Sequence, residues 1–317
     1  MSESYGMKRK TIKSALRNKI DGWINSIKEE ELRELCRRDV VVTGGCIPSM
    51  LLGEEVNDYD IYFKTYETTK KVAEYYIKEF KENLERKGKD SPPIEIEETQ
   101  DIHGEDRIRV VVKSAGVEED ESPAHEAEHD SQIFNDPEEA VDKHEETQQA
   151  LYTDSSKKNE VRPVFVSTNA ISLSNNIQIV LRFFGEPEDI HKNYDFVHYT
   201  NYWTSEDNEL YLRPEALEAL LSKTLVYQGS RYPLCSLFRI RKFIRRGWRI
   251  NAGQILKIAL QISELDLYDY QTLEEQSVGV DLSYFAEVLE ACKSATDSNG
   301  KIDSAYLVEV IDSMFGE

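Results

Sequence analysis

The sequence predicts an α+β protein: a head in which helices pack on a mixed β-sheet, followed by an all-helical C-terminal region. Short β-branched runs (VVVT from Val40, DYDIYF from Asp58, then PVFVS, AISLS and NIQIV between Pro163 and Val180) are interspersed with segments of helical periodicity. After about residue 213 the strand patterns give way to amphipathic helical ones. The chain has 317 residues, more than the roughly 250–300 at which single cores stop growing, so two packed units are expected.

In chain order, Ile12, Leu16, Ile20, Trp23, Ile24, Ile27, Leu32 and Leu35 recur at three- and four-residue steps, predicting two amphipathic helices broken near residues 28–31. They are expected to cover the sheet that follows. The run DVVVT ends at Gly44-Gly45, a short apolar segment follows, and DYDIYF completes a strand, glycine turn, helix, strand unit. Residues 68–84 read as a helix with Val72, Ala73, Tyr76, Ile77 and Phe80 inward, and Ile94–Glu98 and Ile108–Lys113 as short strands. From about 115 to 160 the composition is that of an acidic insert too poor in apolar residues to offset its conformational entropy, and disorder is expected. His125, His129 and His144 within it read as part of a solvated tract rather than as metal ligands. PVFVS, AISLS, NIQIVLRFF and YDFVHYTNYW then resume the sheet. Pro214 opens a helix, LFRIRKFIRRGWRI forms a basic one, and residues 253–317 read as small amphipathic helices. The expected organisation is N-terminal helices at 1–38, a head at 39–212 interrupted by the insert, and a helical region at 213–317.

The net charge of −21 argues at first against a nucleic-acid partner, since phosphate binding draws on clustered Lys and Arg. Its distribution changes that reading. Residues 118–160 hold fifteen acidic and three basic residues, a net −12, which leaves −9 for everything else. Cys36, Cys46, Cys235 and Cys292 show no CxxC spacing and are expected to be free thiols of a reducing cytosol. No apolar run approaches the roughly 18–20 residues of a membrane span, and the Lys-rich start lacks a signal-peptide core. A soluble cytoplasmic protein without a membrane partner is expected, its oligomeric state unspecified. The segment DSNGKID is a polar turn and not a calcium loop: with Gly300 at the sixth place, Ala295 and Tyr306 stand where carboxylates are needed.

Asp58 and Asp60 carry the chemistry. Side chains alternate along a strand, so carboxylates two residues apart share a face. Holding them together is costly unless positive charge lies between them, which suits a hard divalent ion such as Mg²⁺ or Mn²⁺. Gly44 and Gly45 let backbone amides approach a phosphate, and Ser49 offers a hydroxyl. The alternative is a solvated strand end beside a turn. In the basic helix Arg239, Lys242 and Arg246 share one face while Ile240, Phe243, Ile244 and Gly247 lie toward another, a cationic stripe suited to nucleotide or RNA. The competing role is pairing with the protein's own acidic insert. His191 and His198 read as structural histidines.

A hydrophobic strand, Gly44-Gly45, about a dozen residues and then Asp58-x-Asp60 on a strand resembles the signature of the DNA polymerase β-like nucleotidyltransferase superfamily. NIQIVLR with Arg182, YDFVHY with Asp195 and Phe196, and YPLCSLFRIRKF with Arg239 and Lys242 bring the resemblance nearest to CCA-adding tRNA nucleotidyltransferases and poly(A) polymerases. It covers roughly residues 39–63 and 161–250. The resemblance implies transfer of a nucleoside monophosphate from a nucleoside triphosphate to a hydroxyl acceptor, such as an RNA or tRNA 3′ end, with release of pyrophosphate. It implies Asp58 and Asp60 as metal ligands and catalytic residues with Asp195, and Gly44, Gly45, Ser49, Arg182, Arg239 and Lys242 as nucleotide-binding residues. A protein hydroxyl is a second acceptor class. Gln178 departs from the pattern, standing where the group has a third carboxylate; Asp195 or Glu186 would have to complete the site from nearby. No arginine follows the glycine pair, where Pro48-Ser49 stand instead. These departures motivate the alternative of a catalytically inactive binding or assembly module on the same fold.

Overall fold

The computed structural model describes residues 6–86, 88, 94–100, 106–112, 161–167, 169–269, 272, 273, 276 and 308. The acidic insert expected at 115–160 lies outside these residues, as do the helices expected beyond 277 except for Val308. The chain divides into two compact units, Met1–Val117 with Leu151–Ser222 and Glu118–Ala150 with Lys223–Glu317.

In the first unit the helical periodicity of the N-terminus becomes α1 (Arg9–Ser26) and α2 (Glu30–Asp39), and Ile12, Leu16, Ile20, Trp23 and Ile24 all face inward. Each such side chain contributes about 1.5–3 kcal/mol on burial. α2 runs straight into β1 (Val40–Thr43); α3 (Cys46–Leu52), β2 (Tyr59–Phe63) and the long α4 (Tyr66–Arg86) follow. Asp39 makes this junction specific. Its buried carboxylate accepts hydrogen bonds from Arg38 (2.7 and 2.8 Å), Thr65 (3.0 Å) and Thr68, tying the start of β1 to the first turn of α4. β3 (Ile94–Gln100) and β4 (Asp106–Val112) form their own antiparallel pair, and Ile94, Ile108 and Val110 join the same core.

The main sheet is completed by β5 (Pro163–Val166), β6 (Ala170–Leu173), β7 (Ile177–Val180), β8 (Tyr202–Thr204) and β9 (Leu210–Tyr211), in the order β5-β6-β7-β2-β1-β8-β9. β2 and β7 are parallel and every other neighbouring pair is antiparallel, so the sheet is mixed. Alternation gives it two unlike faces. Val40, Val42, Ile61, Phe63, Ile171, Leu173, Ile177, Ile179 and Trp203 pack with α1, α2 and α4. The other face carries Val41 and Tyr62 beneath Ile190 of α5 (Pro187–His191), with Phe183 and Tyr194. α6 (Pro214–Ser222) ends the unit.

Two strand expectations are corrected. The run NIQIVLRFF leaves the sheet after Val180, so Arg182 stands in a bend beyond the strand end. YDFVHY is not a strand: Asp195 occupies a bend, and Val197–Tyr199 form a 3₁₀ turn before β8. The backbone groups there are satisfied locally. The Thr200 amide (3.0 Å) and hydroxyl (2.8 Å) both donate to the Val197 carbonyl, and such local bonds compete with a ladder.

The second unit is helical apart from a short parallel pair, β10 (Thr224–Leu225) with β11 (Arg249–Ile250). Between them lies α7 (Pro233–Arg245), opened by a proline at its first position, and α8 (Ala252–Ile262) follows. Ile240, Phe243 and Trp248 are buried, with Phe243 and Trp248 edge to face at 5.5 Å. Ile244, expected on the apolar face, is 53% exposed. Its position four residues after Ile240 drifts away from the buried line as the helix nears its end at Gly247 (φ +78°). Among the described residues no helix is long and apolar enough to cross a membrane.

Candidate functional site

The site is built on the second face of the main sheet. In register, Ser172 of β6 stands beside Gln178 of β7, Gln178 beside Asp60 of β2, Asp60 beside Thr43 of β1, and Thr43 beside Tyr202 of β8. Neighbouring strand partners share a face, so this is a polar row across five strands, opposite the apolar core. Asp58 precedes β2 by one residue and by alternation belongs to the Asp60 side. Both aspartates act on the same neighbour: burial pushes the Cys46 thiol well up, and the charges of Asp60 and Asp58 add to that. Cys46 begins α3, so the carboxylates lie near the start of that helix.

Gly44 is demanded by the geometry. Its φ is +89°, in the region that L-side chains avoid, and a Cβ there would lie 2.6 Å from Asp60 Oδ2. The glycine turn and the carboxylate strand are thus one device, the first making room for the second. Gly45 is different: it caps the N-terminus of α3 with φ −70°, and a Cβ would meet nothing closer than Tyr199 Cε1 at 3.9 Å. Ser49 sits inside α3, where its amide donates to the Gly45 carbonyl (3.1 Å) and its carbonyl accepts from the Glu54 amide (2.8 Å).

Beneath the turn lies a layer of residues that the sequence pattern does not mark. The Thr43 hydroxyl oxygen is 2.9 Å from His191 Nε2 and within 3.1 Å of the Tyr199 and Asn201 carbonyls. Tyr194 packs between Tyr62 and His191, ring centroids 6.2 and 5.2 Å away. Burial drives its phenol well above the ordinary tyrosine range, and the Tyr62 and Asp60 charges push the same way. Burial pushes His191 down to about 3, with the positive charge of Arg213 adding to it, and burial pushes His198 down to about 3. Both rings are neutral at ordinary pH. Nothing in residue type identifies Thr43 or Tyr194; only the register with Asp60 and the return of the chain through 194–199 do.

Of the other expected site residues, Asp195 and Arg182 are both buried, and the Arg182 guanidinium lies over the Phe183 ring at 5.3 Å. Glu186 precedes α5 and pairs with Lys64 at 3.4 Å. In the second unit Arg239, Lys242 and Arg246 are all exposed, an outward cationic stripe along α7 and its end. Asp58 and Asp60 are the pair suited to a divalent cation. Among the described residues no three or more His, Cys, Asp or Glu group as a metal cage. Such an ion would draw its remaining ligands from water and a bound phosphate, the mode typical of Mg²⁺, and the donor set fits that mode.

The fold and this site define an α+β protein whose mixed sheet bears a carboxylate pair beside a glycine turn. Residues 14–223 match the sequence model of the Gabija anti-defense 2 (Gad2) family, and the chain belongs to that family. No curated protein matches the sequence. Among solved structures, similarity is found to the Bacillus stearothermophilus CCA-adding enzyme in complex with CTP (13% identity, 86% of this chain and 52% of that one, TM-score 0.36). The Thermotoga maritima CCA-adding enzyme complexed with tRNA is also similar (12% identity, 94% of this chain and 69% of that one, TM-score 0.36). So is a tRNA-processing enzyme in an apo form (10% identity, 98% of this chain and 58% of that one, TM-score 0.37). The chain spans about half the length of the Bacillus enzyme.

Proposed function

We propose that this protein is a metal-dependent nucleotidyltransferase that moves a nucleoside monophosphate from a nucleoside triphosphate to a hydroxyl acceptor. The observation that carries the reading is the joint construction of Gly44 and Asp60, in which a side-chain-free turn is kept open against a carboxylate that has Asp58 for a partner. Asp58 and Asp60 would hold Mg²⁺ or Mn²⁺, which when bound supplies charge neutralisation of the triphosphate. The acceptor oxygen forms a bond to the α-phosphorus, the bond to the bridging oxygen breaks, and pyrophosphate leaves while the hydroxyl proton passes to water. Gly44, Gly45 and Ser49 shape the phosphate side. Gln178, beside Asp60 on the same face, offers a neutral amide able to hydrogen-bond the acceptor hydroxyl. The resemblance of the sequence to nucleotidyltransferases supports nucleotide contact by Arg182, Arg239 and Lys242 and catalytic support by Asp195, and the cationic stripe of Arg239, Lys242 and Arg246 supports a nucleotide or RNA surface. The family is described as an anti-defence family directed at Gabija. Under this reading the acceptor is an RNA 3′ end or a protein hydroxyl, and a hydroxyl on a Gabija protein is the protein acceptor to test first.

A second reading, a binding module that retains nucleotide without transferring it, is favoured by one feature: the neutral Gln178 at the register position of Asp60. The two are separated by incubating the full chain with each α-³²P-labelled triphosphate and Mg²⁺, with tRNA or with Gabija proteins as acceptor. Label transfer that disappears in Asp58→Ala/Asp60→Ala, with the fold retained, supports the enzyme. Triphosphate binding without transfer supports the module. If wild type and Gln178→Asp neither transfer label nor bind a triphosphate, both readings fail.

A further inference from the structure

We propose that α8 is a docking site for an acidic amphipathic helix of another protein, which lays its apolar side on Ile255, Leu256 and Leu260 and its carboxylates against the surrounding cations. The helix is turned the opposite way from one that packs its own core. Its amide side chains point inward: Gln254 Oε1 accepts from the Tyr227 amide at 2.9 Å, and Gln261 accepts from the Tyr227 hydroxyl at 2.6 Å and donates to the Ser230 carbonyl at 2.6 Å. Ile258 is the only fully buried residue of α8. Ile255, Leu256 and Leu260 are 45%, 58% and 57% exposed, and Ala252 and Ala259 are exposed beside them. At about 3.6 residues per turn these five form one continuous outward stripe. Single exposed aliphatic side chains are ordinary, but a stripe of them along one helix marks an interaction surface. The rows four residues apart, Ala252-Leu256-Leu260 and Ile255-Ala259, mix small and large side chains, a relief of ridges and grooves that a second helix can fill.

Charge selects the occupant. Residues 223–262 hold nine of the chain's 39 Lys and Arg and none of its 60 Asp and Glu. α8 packs on α7, and Arg245 at the end of α7, Arg249 of β11 and Lys257 at the edge of the stripe are all exposed. A second copy would bring the same positive charge against itself, and facing like charges disfavour that pairing. Nucleic acid answers the cations but leaves Ile255, Leu256 and Leu260 without apolar contact. An anionic lipid leaflet extends far beyond α8 and meets the field of a chain whose net charge is −21. A helix is about 10–12 Å across, close to one screening length in physiological salt, so it responds chiefly to the local cations. Aliphatic anchors at helical spacing, flanked by carboxylates, answer both parts of the surface.

The probe is a fluorescent synthetic amphipathic helix with Leu along one side and Glu on its flanks, titrated with the full chain and read by anisotropy. It should bind more weakly as salt is raised, and at least about tenfold more tightly than the same peptide with Lys in place of Glu. Leu256→Gln/Leu260→Gln keeps good helix formers at both positions and should weaken binding at least about tenfold, with the urea midpoint of the free chain unchanged. No binding of the Glu peptide, equal binding of both peptides, or unchanged affinity in the double variant overturns the proposal. So does a lowered urea midpoint in that variant, which would mean that residues of this same chain cover α8. Dimerisation seen by light scattering and abolished in the variant would assign the stripe to a second copy. Sedimentation with phosphatidylserine vesicles, lost in the variant, would assign it to a membrane, and either result overturns the protein partner.

Discussion

Replacing Gly44 by alanine strains two things at once, and their separate costs can be worked out. Holding a non-glycine residue at φ +89° costs about 1–2 kcal/mol. The new methyl would stand 2.6 Å from Asp60 Oδ2, so the carboxylate must leave its rotamer at a cost of about 0.5–1.5 kcal/mol. Together they predict a loss of about 1.5–3.5 kcal/mol. Gly45→Ala, with φ −70° and nothing nearer than 3.9 Å, should stay within about 1 kcal/mol of wild type. Equilibrium urea unfolding read by the fluorescence of Trp23 and Trp203, both buried in the first unit, measures the difference. The clash term is isolated by repeating Gly44→Ala in an Asp60→Ala background, where roughly 0.5–1.5 kcal/mol of the loss should vanish. If Gly44→Ala proves as benign as Gly45→Ala, or the background makes no difference, the claim that turn and carboxylate form one device is wrong.

Burial pushes the Asp39 carboxyl up, but hydrogen bonds from Arg38, Thr68 and Thr65 outweigh it and hold its pKa below the usual range. Asp39→Ala should cost about 1.5–3 kcal/mol near neutral pH. That difference from wild type should shrink only as pH falls below about 4, where the unfolded carboxyl protonates first. His191 and His198, held near 3, act in a higher window: the unfolded chain takes up protons from about pH 6.5 downward while the native rings stay neutral. Stability is therefore full above about pH 6.5 and falls toward pH 3, by up to about 1.4 kcal/mol per pH unit for each histidine. Denaturation curves of His191→Gln should be flatter across that window, and a parallel slope would refute the assignment. Cys36, Cys46 and Cys235 are buried, with the Cys36 thiol pushed up to about 12 chiefly by burial, so all three should resist a thiol reagent until the protein unfolds.

Much of the first unit was legible because its elements bury one face. The three- and four-residue steps of Ile12, Leu16, Ile20 and Trp23 became α1, and the alternation Asp60, Ile61, Tyr62, Phe63 became a strand with an apolar side and a chemical side. The break near residues 28–31 fell where it was read, between α1 and α2. What misled was the aromatic, β-branched stretch 194–203. Strand propensity describes a residue that fits a half-buried pleat, and here Phe196 is buried with no more than an isolated bridge and His198 within a 3₁₀ turn. Arg182 was placed on a strand for the same reason, though the ladder stops at Val180. The pairing of Asp60 with Gln178 was accessible only through topology, since β2 and β7 are far apart in the chain and no periodicity states which strands lie side by side. The layer of Thr43, His191 and Tyr194 under the turn was invisible for that reason too.

The place of Asp60 on β2 has one more consequence, for how the chain finds its register. β2 is held on both sides, antiparallel to β1 and parallel to β7. A slip of one residue would swing Asp60 into the packed layer beneath α1 and α4 and bring Ile61 out in its place. Burying that charge without a partner costs several kcal/mol, far more than a shifted ladder could recover. A misaligned sheet is therefore rejected by the same carboxylate that would serve the chemistry. Replacing Asp60 with a large apolar residue would remove the proofreader of the strand, whereas alanine silences the site without giving the slipped register a side chain worth burying in place of Ile61.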